Sequence, residues 1–330
     1  MNIRLCLSIL IAGCLLSGLA AEAKRPVWLS NPYQLFPEDE YICGTGGGAD
    51  LEAAKIQALG DISRYFESQV TAYVQTTETE SSQSVNGQST TTLGSDYQAQ
   101  VKVFSDVQLE YAVLADSWTD PETKLVYVLM TIEKLKLRAK YLERVNSSEQ
   151  AIGQHLKVQG NPFQRYSALL KATRLMPDLL RDCNFYNTLI SSGAPRLQAS
   201  LSEASLQALI AEARAAIVFD ISVPDDPQGS IATTLQTAIQ KMGFGFGPSA
   251  LKMDVRMAPT ENKQLGKQYF VGYEAVLTLS HEGTQIFVTK ESSKQGDVDE
   301  GSARNRTLKA LSSGLANKFT RELNKYIEGL

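Results

Sequence analysis

The residues of this 330-residue chain best placed to do chemistry come early, in Tyr41-Ile42-Cys43-Gly44-Thr45-Gly46-Gly47-Gly48-Ala49-Asp50. Gly44, Gly46 and Ala49 match the G-x-G-x-x-A spacing, in which glycines let the backbone approach a dinucleotide pyrophosphate at a helix N-terminus. That site also needs a longer buried strand in front of it and a carboxylate about 20 residues on, to hold the ribose. Here the strand reads as Tyr41-Ile42-Cys43 alone, and Gln69 stands where the carboxylate belongs. No G-K-[ST] follows, which excludes a P-loop. Gly44, Gly46, Gly47 and Gly48 therefore read as a structural corner that turns strand into helix and lets the helix lie close on its sheet. No cofactor is expected.

The other reactive side chains are sparse. The two histidines, His155 and His281, are far apart in sequence and lack metal spacing. Nucleophilic catalysis needs a base within hydrogen-bond reach of a hydroxyl or thiol, and no spacing here suggests such a pair. Asp297, Asp299 and Glu300 could offer oxygen to Ca²⁺ but lack the further spaced ligands of an EF-hand loop. They read as a helix entrance with Ser302 as the cap. No catalytic or metal residue is assigned. Trp28 and Trp118 are candidate interface anchors, with buried packing as the plain alternative.

Cys14 has a chemistry of its own. Leu10-Ile11-Ala12-Gly13-Cys14 has the form of a lipobox, in which the thiol takes a lipid and becomes the new N-terminus. Arg4, the apolar run 5–19 and Ala21-Glu22-Ala23 equally form a secretion signal cut before Lys24. Both readings remove residues 1–13 and export the chain. The run is shorter than the ~20 residues that span a bilayer, and no later stretch is long and apolar enough to do so. In an oxidising compartment Cys43 and Cys183 could pair, or each could be a buried thiol. A net charge of −4 carries no electrostatic footprint for nucleic acid.

The elements that must position these residues follow from periodicity. Asp50 is placed to cap a helix whose apolar face carries Leu51, Ala54, Ala58, Ile62, Tyr65 and Phe66. Strands are expected from 69–74, at 101–104 and over 107–115. The polar segment 76–95, with Asn86-Gly87 at its turn, reads as a long hairpin tip. Asp120-Pro121-Glu122-Thr123 turns the chain into a strand over 125–132. Residues 133–215 read as helical. Asn161-Pro162 forms a helix start, Pro177 divides an α-hairpin, and Ser200 to Glu203 has capping-box spacing. From 216 onward the order strand, helix, three strands, helix fits a two-layer sandwich. The fold class is α+β. It comprises a helix on an antiparallel sheet (24–140), a helical linker or hairpin (141–215) and a C-terminal α+β domain (216–330), after a signal over 1–23.

Pro26-x-Trp28-x-x-Asn31-Pro32, Tyr41-x-x-Gly44-x-Gly46 and Ala54-x-x-x-Ala58 occur in an order that resembles the N-terminal half of the Lpp-twenty family of bacterial envelope lipoproteins. The stretch around Trp118 and the returning Val126-Tyr127-Val128-Leu129 is similar to that family's sheet. The resemblance covers about residues 24–140. It implies an outer-membrane-associated lipoprotein of a Gram-negative-type bacterium without known catalytic residues, sometimes linked to flagellar or surface assembly. The expected function is that of an exported, non-enzymatic binding or scaffold protein of the periplasm or outer membrane. Its expected partners are other envelope proteins, with membrane attachment through a lipid on Cys14. The alternative is a ligand-binding protein or carrier for an anion or a lipid, using the glycine segment or the helix–sheet interior.

Overall fold

The computed structural model describes residues 24–82, 110–190, 193–226 and 229–330. The leader with Cys14, the expected strand at 101–104 and the segment 83–95 lie outside the described residues. The described chain is a mixed α+β protein with six α-helices and two sheets. It divides into two compact units, one ending at Leu137 and one beginning at Arg138.

The first unit holds β1 (Tyr41–Gly48), α1 (Leu51–Ser82), β2 (Val113–Thr119) and β3 (Val126–Glu133), with sheet order β1-β3-β2 and both pairs antiparallel. The even positions of β1 face α1, whose Ala54, Ala58, Ile62 and Phe66 are fully buried at a spacing of four. The other face carries Cys43 and Leu129, covered by Trp28, which lies in the first of two short 3₁₀ turns ahead of the sheet. Asp50 caps α1 as its position suggests, accepting from Ala53 N at 2.8 Å. Two expectations need correction. Residues 69–74, and with them 76–82 of the expected hairpin tip, continue α1, because Val70, Thr71 and Val74 each cost only a few tenths of a kcal/mol in a helix already nucleated and packed upstream. The strand expected over 107–115 begins at Val113, with Glu110 and Tyr111 in a helical turn.

The second unit contains most of α2 (Lys134–Leu156), then α3 (Pro162–Thr188), α4 (Glu203–Ala215), β4 (Val218–Ser222), α5 (Ser230–Lys241), β5 (Gly245–Phe246), β6 (Leu251–Leu265), β7 (Gln268–His281), β8 (Thr284–Asp297) and α6 (Glu300–Gly329). Its sheet has the order β5-β4-β6-β7-β8, with β4 parallel to both neighbours and the rest antiparallel. Leu251, Met253 and Val255 point into the core, while Lys252, Asp254 and Arg256 alternate outward, as a sheet covered on one face requires. Leu311, Leu315, Phe319 and Leu323 of α6 are fully buried. Val145 and Ile152 of α2 and Phe163, Leu169 and Met176 of α3 belong to the same core as the sheet. Segment 141–215 and the region from 216 onward thus share one apolar interior.

Local signals were placed well at several ends. Asn161 accepts from Phe163 N and Gln164 N in a full capping box, and Glu282 and Gly283 form the β7–β8 turn with positive φ of 51° and 80°. Pro177 does not divide α3. The buried stripe Leu169, Ala172, Met176, Leu179 and Cys183 keeps one helical period across it, and this packing offsets the lost backbone bond. The cap of α4 is Ser202 and not Ser200, and the cap of α6 is Asp299, which accepts from Ser302 N.

Candidate functional site

The glycines form a strand, not a corner. Gly44, Gly46, Gly47 and Gly48 all lie in β1, paired in order with Met130, Val128, Tyr127 and Val126 of β3. A β-carbon on Gly44 would come within 2.6 Å of Ile62 Cγ1, and one on Gly48 within 2.6 Å of Ala54 N. One on Gly46 would fall well inside 3.0 Å of the Ala54 carbonyl oxygen and the Ala58 nitrogen. Three alternate glycines thus let the α1 backbone lie directly on the sheet. The space a pyrophosphate would occupy is filled by helix.

The amides a phosphate would need are committed as well. Lys134 N donates to Glu40 O, so the even positions of β1 bond to β3, and the N–H groups of Cys43, Thr45 and Gly47 point off the sheet edge. Thr45 N donates to Asp61 Oδ2 at 3.1 Å and Gly47 N to Gln57 Oε1 at 3.2 Å, both from α1. Cys43 N meets the Tyr33 hydroxyl, whose pKa burial pushes up to about 12. Side chains therefore close this edge, a device that keeps an edge strand from pairing with another chain.

Trp28 is 1% exposed and its Nε1 donates to Asp116 Oδ2 at 2.7 Å, so it serves the core and is not an interface anchor. Trp118 is half-buried against Tyr127, with ring centroids 5.8 Å apart. Cys43 and Cys183 are each buried free thiols, both pushed up to about 11 chiefly by burial. His155 ends α2 and His281 ends β7. Among the described residues no three His, Cys, Asp or Glu side chains gather as a metal site, and no helix is long and apolar enough to cross a membrane.

Among the described residues of the second unit, a small and a large concavity stand out. The smaller, about 330 Å³, is lined by polar residues of α2 and α3. Arg144 Nε donates to Asp182 Oδ2 at 2.9 Å, and Arg181 Nη1 pairs with Asp178 at 2.8 Å. Asp182 Oδ1 and Arg181 Nε stand 3.6 Å apart, buried and without a hydrogen bond among the described residues. Burial outweighs the arginines and raises the Asp182 pKa above the ordinary carboxylate value.

The larger is an open groove of about 960 Å³ walled by α3, α5 and α6. Tyr166, Phe244, Ala316 and Ile327 form its buried floor, with Leu170, Ala238 and Met242 half-buried above them. Thr237, Lys241, Asn317 and Arg321 stand exposed on its rim. It has the size of a ligand site and the apolar-floor, polar-rim character of one. Sequence reading missed it because its walls come from three helices far apart in the chain. The signal available was a second stripe on α6, Ser313, Asn317, Thr320 and Asn324, small and polar at helical spacing beside the leucine face.

No family model matches this chain, and no curated protein matches it. Among solved structures it is similar to a secreted protein of Helicobacter pylori, at 12% identity over 84% of this chain and 97% of that one, TM-score 0.35. The minor lipoprotein of Acinetobacter baumannii aligns at 13% identity over 32% of this chain and 91% of its own, TM-score 0.27. Rare lipoprotein B of Shewanella oneidensis aligns at 10% identity over 33% and 94%, TM-score 0.27.

Proposed function

We propose that this chain is an exported protein of a bacterial cell envelope that works by binding, not catalysis, and that the groove between α5 and α6 is its binding surface. The groove carries the reading: a wide apolar floor with exposed amide and cationic groups around it has the character of a binding surface. Export is supported by the leader, in which Arg4, the apolar run 5–19, and either Cys14 or Ala23 supply the elements of a processed signal. The resemblance of residues 24–140 to the Lpp-twenty lipoproteins supports an outer-membrane location, with a lipid on Cys14 as the anchor. Other envelope components are the partners in this reading. The glycine segment, the former candidate for anion binding, is left a structural part.

Cell fractionation with mass analysis of the mature N-terminus, for the wild type and Cys14→Ala, tests the first half. The reading expects envelope recovery and an N-terminus at lipid-modified Cys14 or at Lys24; an unprocessed cytoplasmic chain would overturn it. Thr237→Trp, which places a ring on the groove rim from an exposed position, tests the second half. It should abolish the association of the chain with its envelope partner while leaving the circular dichroism spectrum unchanged. Unaltered association would remove the groove from the account.

A further inference from the structure

The groove is less polar than its residue types suggest. Thr233, Thr234, Thr237 and Thr320 line it, and each turns its hydroxyl back onto the carbonyl four residues earlier: Gly229 O at 2.8 Å, Ser230 O at 2.7 Å, Thr233 O at 2.9 Å and Ala316 O at 2.8 Å. A threonine whose O–H is donated in this way has no donor left for a neighbour and offers its methyl group and the lone pairs of its oxygen. The four threonines share the lining with Leu170, Ala238, Met242, Phe244, Ala316 and Ile327, so their methyls add to its apolar groups.

Two features give the groove a charge preference. Lys241 of α5 and Arg321 of α6 stand exposed on its walls against one carboxylate, Glu328, in a chain whose formal charge is −4. The nearest carboxylate paired with Arg321 is its chain neighbour Glu322, at 3.9 Å. At the buried end the Tyr166 hydroxyl accepts from Arg214 Nε at 3.2 Å and Nη2 at 3.0 Å. With its lone pairs engaged by a cation, that hydroxyl keeps its own O–H to donate. Apolar walls, a cationic rim and one buried donor form a complementary set.

Building on the binding reading above, we infer that the occupant of the groove is a single-chain amphiphile with an anionic head. Its alkyl chain lies on the threonine methyls and the apolar floor, and its head meets Lys241 and Arg321. A volume of about 960 Å³ lies at the upper end for a small ligand and favours one chain over a multi-chain lipid.

The test is calorimetric titration of residues 24–330, the chain freed of its leader, with dodecanoate, dodecylammonium and dodecyl maltoside, each below its micelle concentration. Dodecanoate should saturate at one per chain and bind about tenfold more tightly than the ammonium. Lys241→Gln with Arg321→Gln should lose about tenfold for dodecanoate and nothing for the maltoside. Thr237→Trp should abolish binding with an unchanged circular dichroism spectrum. Equal affinity for all three heads, several molecules per chain, or full binding by Thr237→Trp would overturn the inference. If Thr237→Trp severs the envelope association in cells while dodecanoate gives no heat, the occupant is a protein segment: the amphiphile falls and the binding reading stands.

Discussion

Gly46→Ala should destabilise the first unit severely, and the reason is steric. The added methyl would lie well inside 3.0 Å of the Ala54 carbonyl oxygen and the Ala58 nitrogen, and 2.9 Å from Gln57 Cβ, where ordinary contact begins at 3.4 Å. Two of the three obstacles are backbone, so no rotamer change relieves the clash, and α1 must retreat by on the order of 1 Å. That retreat loosens Ala54, Ala58, Ile62 and Phe66 together, all fully buried. Overpacking typically costs 1–3 kcal/mol, and a clash with rigid backbone belongs at the top of that range, about 3 kcal/mol. With a urea slope of about 1.5 kcal/mol/M for a unit of this size, the midpoint should fall by about 2 M. Both tryptophans, Trp28 and Trp118, lie in this unit, so tryptophan fluorescence reports its unfolding alone. Ala54→Gly should not rescue the variant, because the obstacle at Ala54 is its carbonyl and not its side chain. Gly60→Ala, on the same helix with nothing within 4 Å of the added carbon, should instead stabilise by about 0.5–1 kcal/mol. A Gly46→Ala midpoint within 0.3 M of wild type, or rescue by Ala54→Gly, would mean that the helix backbone does not clash with residue 46.

Trp28→Phe removes the indole donor to Asp116 while keeping most of the buried ring, and should cost about 1–3 kcal/mol by urea unfolding, as expected for a charge-assisted bond. Asp182 gives a pH signature of opposite sign to an ordinary ion-paired carboxylate. Its folded pKa is raised, so the folded state binds the proton more tightly, and stability falls as pH rises from about 4, the unfolded value, through the raised folded value. Arg144, Arg181, Lys140, Glu143 and Asp178 line the same cavity around it. Asp182→Asn should flatten that slope, read by hydrogen exchange of α3 at a series of pH values; an unchanged slope would assign the titration elsewhere. Cys43 and Cys183 should give two free thiols by Ellman titration in guanidinium and should label in the native state only as fast as their units open, since burial holds both thiols near pKa 11.

Much of the helix–sheet contact in the first unit could be read from the sequence, since Ala54, Ala58, Ile62 and Phe66 recur at helical spacing after an evident cap at Asp50. The strand beneath them could not. Glycine has low strand propensity, and a run of three looks like a loop. Gly44, Gly46 and Gly48 are extended only because β3 pairs with them and α1 presses on them, and neither effect is local. Pro177 misled for the reverse reason: a strong local breaker was overruled by a buried stripe on both sides of it. The β7–β8 turn and the Asn161 cap were legible because each depends on two to four adjacent residues. The groove depends on Tyr166, Thr237 and Asn317, which meet only after three helices have packed, and on hydroxyl orientations that sequence does not carry.

The α5–α6 groove is the proposed working surface of an exported protein. A photo-crosslinking residue at Asn317, exposed on the groove wall, can be compared in intact cells with one at Lys252, exposed on the outward face of the sheet. A groove that works this way gives a discrete envelope adduct from position 317 that disappears with Thr237→Trp, and none from position 252. No adduct at 317, or the same adduct from both positions, would contradict it.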